Sequence, residues 1–442
     1  MPAVTTPVKM PKGSPTDHII VIGAGAAGLT AARELARAGK RVTILEARER
    51  CGGRILELPV SEFGYAAEGG PEFIHGEAPV THALLRDAKL PLQPMHGTRW
   101  TIENGTFSSG RTVEPGSHLF YQALAELKTD LPIREFLQQH FGGAEFARLR
   151  RSIERTTEGY DAADPARASA FALRDEWMQE GTPGNQGRIA GGYGALIDYL
   201  ATDSRGHGAV IRFGAVVKAI ELAGDAVVVR CASGETLSGD AAILTVPLPL
   251  LQEIALPPEV ASRAVAARDI GFGNVIKILL RFKTAWWAEQ RKDLGDLSFL
   301  ISDRQIPVWW TQHPITVPVL TGWFGGPKTK ALSDLSEQQL IDRGLVSLGE
   351  VFGLAPSRLH ENLVAARAID WAKEKFSRGA YSYATPATRE AQARLTSANA
   401  RLVFFSGEAL YRGRDMGTVE AALASGMETA RAILAARTVV TP

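Results

Sequence analysis

The chain has 442 residues, 45% apolar and 22% charged, and its 49 Lys and Arg against 48 Asp and Glu leave a net charge of +1. That balance gives no electrostatic reason to expect nucleic acid or an anionic membrane as partner. No apolar run reaches the ~18 residues of a membrane span. At roughly 150 residues per unit the length suits two or three structural units, with a large core that needs no staples. Nine His and two Cys, Cys51 and Cys231, make no metal-ligand spacing and suit a reducing compartment. Residues 1–16 carry Pro2, Pro7, Pro11 and Pro15 without an apolar stretch. They read as a disordered lead-in rather than a secretory signal, and a cytoplasmic protein is expected.

Residues 18–22 are a short apolar run, the pattern of a buried parallel strand. Gly23-Ala24-Gly25-Ala26-Ala27-Gly28 follows, then a helix over 29–38 with Arg33, Glu34 and Arg37 on one side and Gly39 as its C′ residue. A second strand over 41–45 ends in Glu46, completing a βαβ unit. A helix is predicted over 81–90 and a hairpin over 100–109 around Asn104-Gly105. From 116 to 178 the pattern is helical with polar faces, an inserted subdomain that is either a surface excursion or a lid. Gly191-Gly192 open a helix running to 200. Residues 210–217, 226–231 and 241–246 are β-rich, and 247–258 is a Pro-rich crossing. A second, mixed sheet is predicted from 275–282, 297–301, 307–311 and 318–324. Residues 336–352 read as a helix, 401–406 as a buried strand and 418–436 as a long Ala-rich helix.

The expected class is therefore α/β. One domain is assembled from 17–76, 189–250 and 396–437, and a second, of mixed sheet and helices, from 77–188 and 251–395. With Gly at about one residue in ten, a lone G-x-G-x-x-G has about 0.4 chance matches in a chain this long, so context decides. Here Gly23 allows the tight turn, Gly25 lets a pyrophosphate approach the backbone, and Gly28 lets helix pack on strand. The helix N-terminus, opening at Ala27, offers free N–H groups to phosphates. Glu46 stands where an acid accepts ribose hydroxyls. Ala47, Arg48 and then Gly52-Gly53-Arg54 follow at once, a second close backbone approach to a pyrophosphate with cations beside it.

The stretch from Gly23 to Arg54 resembles the FAD-binding signature of the flavin-dependent amine oxidase superfamily, its bacterial-type monoamine and polyamine oxidases in particular. Further similarities run in order along nearly the whole chain. Glu68-Gly69-Gly70-Pro71-Glu72-Phe73-Ile74-His75-Gly76 is similar to the segment crossing the flavin face. The strand around Lys277, followed by Trp286-Trp287, resembles the one bearing the family's active-site lysine. Trp371 and Gly379-Ala380-Tyr381-Ser382 resemble the loop that places aromatic rings near the flavin. Phe404-Phe405-Ser406-Gly407-Glu408-Ala409 and Gly417-Thr418-Val419 resemble the closing FAD motif.

The resemblance implies a Rossmann-like FAD-binding domain, a substrate domain and noncovalent FAD, since Ala380 stands where some relatives carry a flavin-bonding cysteine. It assigns Gly23, Gly25, Ala27, Gly28, Glu46, Ala47, Arg48, Gly52, Gly53, Arg54, Gly69, Gly70, Pro71, Glu72, Val216, Val217, Gly407, Glu408, Gly417, Thr418 and Val419 to the cofactor. Lys277, Tyr381, His75 and Trp371 are the implied catalytic residues. Lys277, between Ile276 and Ile278, faces away from them on simple alternation, and a buried lysine needs a partner or a task. His75 is open to a second reading as a core histidine bonded to a carbonyl. Tyr381 is one wall of an amine cage, whose second aromatic wall falls at Thr418, which either opens the cage or leaves another residue, Trp371 or Trp323, to complete it. Phe73 lines the pocket where amino acid oxidases place a carboxylate-binding arginine, which favours an amine without an α-carboxylate.

The expected reaction is oxidation of an amine C–N bond, with hydride passing to flavin N5 and O2 reoxidising the flavin to give H2O2. The alternatives are an FAD-dependent C–C desaturase of a polyisoprenoid and a catalytically inactive flavin-binding scaffold. A small-molecule amine is the expected partner, with no nucleic acid and no membrane span, and a homodimer remains among the oligomeric choices. Trp286-Trp287 and Trp309-Trp310 are expected half in the core and half at the surface. Cys51, near the helix N-terminus, is expected to have a lowered thiol pKa.

Overall fold

The computed structural model describes residues 17–110, 114–178, 186–397 and 402–438. The expected lead-in at 1–16, and the first residue of the strand predicted at 401–406, lie outside them.

The first sheet grows from strand β1 (His18–Ile22), whose five residues are all buried. Side chains alternate across a strand, so its two faces build two cores. Ile19 and Val21 join Leu29, Ala32 and Leu35 of helix α1 (Ala26–Arg37), while Ile20 and Ile22 pack towards Val227, Val229 and Leu237 on the other face. Strand β2 (Arg41–Leu45) runs parallel to β1. The full order is Val403–Phe405, Ala241–Leu244, β1, β2 and Val210–Arg212, all parallel. Strands from well-separated stretches of chain thus share one sheet, as buried parallel sheets with helical crossovers allow. The C-terminal helix Val419–Thr438 lies against α1, and a Cβ at Gly426 would fall 2.3 Å from the Ala27 carbonyl oxygen. Only glycine permits that approach.

The second sheet has seven strands in the order Leu363–Asp370, Val275–Phe282, Val319–Gly325, Val308–Trp310, Leu297–Ser302, Thr98–Glu103 and Thr106–Ser109. Its pairs are antiparallel except for the parallel contact between Leu297–Ser302 and Thr98–Glu103, so the sheet is mixed. The predicted hairpin forms at Asn104-Gly105, both with positive φ. Ile276, Ile278 and Leu280 bury one face against the helix Glu337–Phe352. That helix starts with a capping box, Ser336 and Gln339 each satisfying the other's backbone N–H, and stops at Gly353 in the left-handed region. Lys277 points to the opposite face, as alternation requires.

Residues 116–178 form the helices Ser117–Glu126, Ile133–His140, Ala147–Gly159 and Ala170–Trp177, closed over their own cluster of Phe120, Phe136, Phe141 and Leu149. The unit is tied to the body where the Ser169 amide donates to the Ala384 carbonyl at 2.8 Å. One expectation is corrected. All four paired tryptophans are buried, Trp286, Trp287 and Trp309 in the core between sheet and helix, and Trp310 on the wall of an internal cavity. No described helix is long and apolar enough to cross a membrane.

Candidate active site

One cavity of about 1240 Å³ runs from the glycine-rich turn to the inserted helices. At its nucleotide end, Gly23 has φ +108°, and a Cβ on Gly28 would sit 2.0 Å from the Gly23 carbonyl oxygen, so Gly28 serves packing and does not line the cavity. Helix α1 has no side-chain cap and no acid in its first turn, which leaves its N–H groups and positive end facing the cavity at Gly25, Ala26 and Ala27. Glu46 is fixed from two sides: its Oε2 accepts from the Ala24 amide at 2.8 Å and its Oε1 from the Arg48 amide at 2.9 Å. A carboxylate has lone pairs left for hydroxyls. Gly52 and Gly53 both have positive φ, and Gly53 packs close over Gly25. Ala47, Val216 and Val217 are on the same wall.

The expected free cations beside this end are not free. Arg48 is held by Glu374 and Ser377, the latter at 3.0 Å, though its Nε has no partner. Arg54 donates at 2.7 Å to Glu408, which also accepts from Ser382. Arg54 thus answers the buried Glu408, and Arg48 the half-buried Glu374. Cys51 is also corrected: burial pushes its thiol up, outweighing the nearby cations Arg205 and Arg50. Gly69 does not reach the cavity. It sits behind the wall, where a Cβ would be 2.5 Å from Ile369. Gly70, Pro71, Gly407, Glu408, Gly417, Thr418 and Val419 do line it. Thr418 spends its hydroxyl on the helix start, donating to the Asp415 carbonyl and accepting from the Ala421 amide at 3.2 Å.

At the other end is a buried ionic knot. Lys277, fully buried, donates to Glu72 Oε2 and to the Gly70 carbonyl, each at 3.0 Å. Glu72 also accepts from Arg188 at 2.9 Å, from Trp310 Nε1 at 3.0 Å and from Gln312 at 2.7 Å. Burial alone would raise the Glu72 carboxyl, but Lys277 and Arg188 overcome it and hold the group at about 2. Its neighbour Glu68, whose Oε1 accepts from the Tyr193 amide at 2.6 Å, is pushed up by burial to about 8. Opposite charges thus settle on one carboxyl while the other stays neutral at pH 7. Glu72 is on the cavity wall, as expected, but its side chain serves Lys277.

Aromatic rings extend from the knot. Lys277 Nζ is 5.4 Å from the Trp310 ring centre, Trp310 is 5.8 Å from Trp323, and Trp323 stacks on Tyr381 at 6.4 Å and 25°. Trp323 and Tyr381 are each pinned at the polar end, by the Gly159 and Tyr160 carbonyls at 2.7 Å. Trp371 donates to the Gly69 carbonyl at 3.1 Å and shows its face to the cavity. Phe73 contacts His75, Phe299 and Trp310, with Arg188 over its ring. Burial alone lowers His75 to about 4, so it is neutral, with Nδ1 3.5 Å from the Tyr160 hydroxyl. The cavity therefore brings together Lys277, Tyr381, His75, Trp371, Phe73, Trp323 and Thr418. Arg188 and Gln312 were not singled out from the sequence, and Trp310 was named there only as one of a tryptophan pair. Trp310 and Gln312 alternate two residues apart, a same-face signal that could have flagged them.

A glycine-rich turn at an uncapped helix end is thus joined through one cavity to a buried lysine among aromatic rings. The sequence model of the family described as flavin containing amine oxidoreductase matches residues 26–132 and 107–434, and the chain belongs to that family. It is 25% identical over 454 residues to lysine-specific histone demethylase 1B of Mus musculus, covering 96% of this chain and 54% of that protein. It is 26% identical over 442 residues to lysine-specific histone demethylase 1 homolog 2 of Oryza sativa subsp. japonica, covering 94% and 57%. The chain spans about half the length of these curated relatives. Among solved structures, a putrescine oxidase bound to putrescine superposes with a TM-score of 0.78 at 20% identity, over 95% of this chain and 99% of that one. Cyclohexylamine oxidase from Brevibacterium oxydans IH-35A gives 0.78 at 20%, over 96% and 100%. These two show the fold.

The cofactor is FAD, and the residues fit it: an uncapped helix end, a glycine cradle and an acid beside it. Neither cysteine lines the cavity, so no thiol is in place to bond the flavin, and the FAD is noncovalent.

Proposed function

We propose that this chain oxidises the C–N bond of a small amine, and the observation that carries the reading is Lys277. It is a fully buried lysine on the wall of the cavity that also holds the nucleotide cradle. Bound FAD supplies the acceptor for a hydride from the amine α-carbon. The chain's part is to bind, orient and desolvate. Gly25, Ala26, Gly52 and Gly53 would hold the FAD pyrophosphate by backbone approach, Glu46 would take the ribose hydroxyls, and Glu408 the ribityl chain. The Val419 helix opens at the cavity wall, where its positive end would favour negative charge on a bound flavin. Trp323 and Tyr381 offer parallel faces that accept an apolar chain and tolerate its cation. His75, neutral, can accept a hydrogen bond from the amine. Lys277, tethered to Glu72, positions polar groups beside the reacting carbon. The product imine is hydrolysed by water to a carbonyl and an amine, and O2 is the terminal acceptor, giving H2O2.

The domain boundaries read from the sequence, a cytoplasmic setting and the named cofactor contacts belong to the same proposal. The relatives suggest a second substrate for the same chemistry, an N-methylated lysine side chain. The test is anaerobic mixing of the yellow protein with phenethylamine, tyramine, spermidine, spermine, cyclic amines, L-amino acids and a dimethyl-lysine peptide. Bleaching by an amine, slowed in Lys277→Met, supports the reading. No bleaching with FAD bound returns the case to a desaturase or a scaffold.

A further inference from the structure

We propose that Tyr160, brought in by the inserted helices, sets the width of the substrate path and so decides how bulky the far end of the amine can be. The proposal rests on the C–N oxidation reading above and deepens it by naming a specificity-determining residue.

Six aromatic side chains on the cavity wall touch one another in a closed circuit. Tyr381 stacks on Trp323 at 6.4 Å between ring centres, Trp323 meets Trp310 at 5.8 Å, and Trp310 meets Phe73 at 5.5 Å. Phe73 meets His75 at 6.0 Å, and His75 meets Tyr160 edge-on at 5.8 Å and 78°. The Tyr381 hydroxyl then donates to the Tyr160 carbonyl at 2.7 Å, which closes the circuit. These spacings are those of favourable ring contacts. Trp310 and Trp323 come from neighbouring strands of the second sheet, Tyr381 from the strand Tyr381–Tyr383, and Tyr160 from the end of the helix Ala147–Gly159. Rings from such different elements that meet end to end make a collar around the cavity rather than a patch on one side of it.

The collar has a direction. Trp310, whose ring centre is 5.4 Å from Lys277 Nζ, is 4% exposed, whereas Tyr160 is 53% exposed. An amine therefore reaches the lysine by passing Tyr160. The main chain there is pinned and does not yield to a wider substrate. The Tyr160 amide donates to the Thr156 carbonyl at 2.8 Å, and its own carbonyl holds Tyr381. The Gly159 carbonyl before it accepts from the Trp323 indole at 2.7 Å, and Ala162 after it is held at φ +49°. With the backbone fixed, the clearance depends on the side chain at position 160. Thr418 is small and spends its hydroxyl on its own helix start, so position 418 contributes no ring to the task.

The experiment compares amines of equal length with slim and bulky far ends in anaerobic reduction of the holoenzyme. The pairs are n-hexylamine with 5,5-dimethylhexylamine, and phenethylamine with its 4-tert-butyl derivative. One methylene in an apolar site is worth roughly 10–200-fold, so the slim partner is expected to lead by at least about tenfold in second-order rate, through weaker half-saturation of the bulky one. Tyr160→Ala should bring that ratio below threefold, and Tyr160→Trp should raise it. Tyr160→Phe, which keeps the ring and drops the hydroxyl, should preserve it. The α,α-dimethyl analogues, which have no α-hydrogen to lose, should bind in the same order, read from perturbation of flavin absorbance. A wild-type ratio within threefold for both pairs overturns the proposal, as does a large ratio that Tyr160→Ala and Tyr160→Trp leave alone. Loss of the ratio in Tyr160→Phe also overturns it, because the hydroxyl rather than the ring would then select. If only one of the Ala and Trp variants holds flavin, that variant decides. No reduction by any amine fails the oxidation reading itself, and the binding order of the unreactive analogues then tests Tyr160 separately.

Discussion

Replacing Lys277 with Met tests whether the ionic knot is the structural centre of the chamber. The substitution keeps length and apolar bulk but removes the cation 3.0 Å from Glu72 Oε2. At that distance the attraction is about 5 kcal/mol at an effective dielectric of 20. Breaking a buried pair from one side typically costs about 3–5 kcal/mol, because a charge is stranded. Glu72 retains Arg188, Trp310 and Gln312, so the lower end, about 3 kcal/mol, is expected. Adding Glu72→Gln removes the stranded charge, and the pair should couple by about 1–3 kcal/mol, so that the double variant loses less than the two singles summed. The measurement is urea denaturation of all four proteins at saturating FAD, since ligand binding shifts apparent stability. A Lys277→Met loss under about 0.5 kcal/mol together with additive singles would refute the knot as a coupled unit. The pH arm has a fixed sign. Glu72 is depressed to about 2 from an ordinary 4.5, so its stabilisation is full above 4.5 and fades as pH falls through 2. That fading should be weaker in Lys277→Met, where the depression is smaller.

Glu68, raised to about 8, has the opposite sign: its contribution is full below 4.5 and is lost as pH rises through 8. Glu68→Gln, which keeps the acceptor for the Tyr193 amide, should therefore gain on the wild type from pH 5 to pH 8 in urea midpoint. An unchanged gap between those pH values rules the effect out. His75, lowered to about 4 by burial, should put no limb into the pH profile of amine-driven flavin reduction between 5 and 8, and a limb that vanishes in His75→Asn would contradict this. Gly28→Ala places a Cβ 2.0 Å from the Gly23 carbonyl oxygen. It should cost at least about 2 kcal/mol and release FAD during gel filtration, whereas a yellow, fully stable variant would show that the turn can yield.

The βαβ unit was legible because its signals are local. An apolar run, glycines at fixed spacing and a terminal acid specify β1, α1, β2 and Glu46 within a few turns of chain. The orientation of Lys277 was legible too, from alternation alone. The partners of Lys277 were not. Glu72, Arg188 and Gln312 are polar residues of ordinary appearance, and only tertiary packing puts all three beside one lysine. The same holds for Arg48 and Arg54, read as phosphate cations from their glycine neighbours yet engaged by Glu374 and Glu408 from 326 and 354 residues away. Cys51 failed for a related reason: sequence shows a nearby helix end but not how little water remains.

The first sheet has a consequence for how the chain is made. Its edge strand Val403–Phe405 pairs with Ala241–Leu244, and the Val419 helix seals α1, so the cradle opened by the first 30 described residues is closed by the last 40 or so. During synthesis the earlier strands would wait, with apolar strand edges and helix faces uncovered, until the Val403 strand and the Val419 helix left the ribosome. Such long-range closure is slow and exposed to misassociation. Losing the final helix would not trim a tail from this protein; it would leave the nucleotide cradle without its far side.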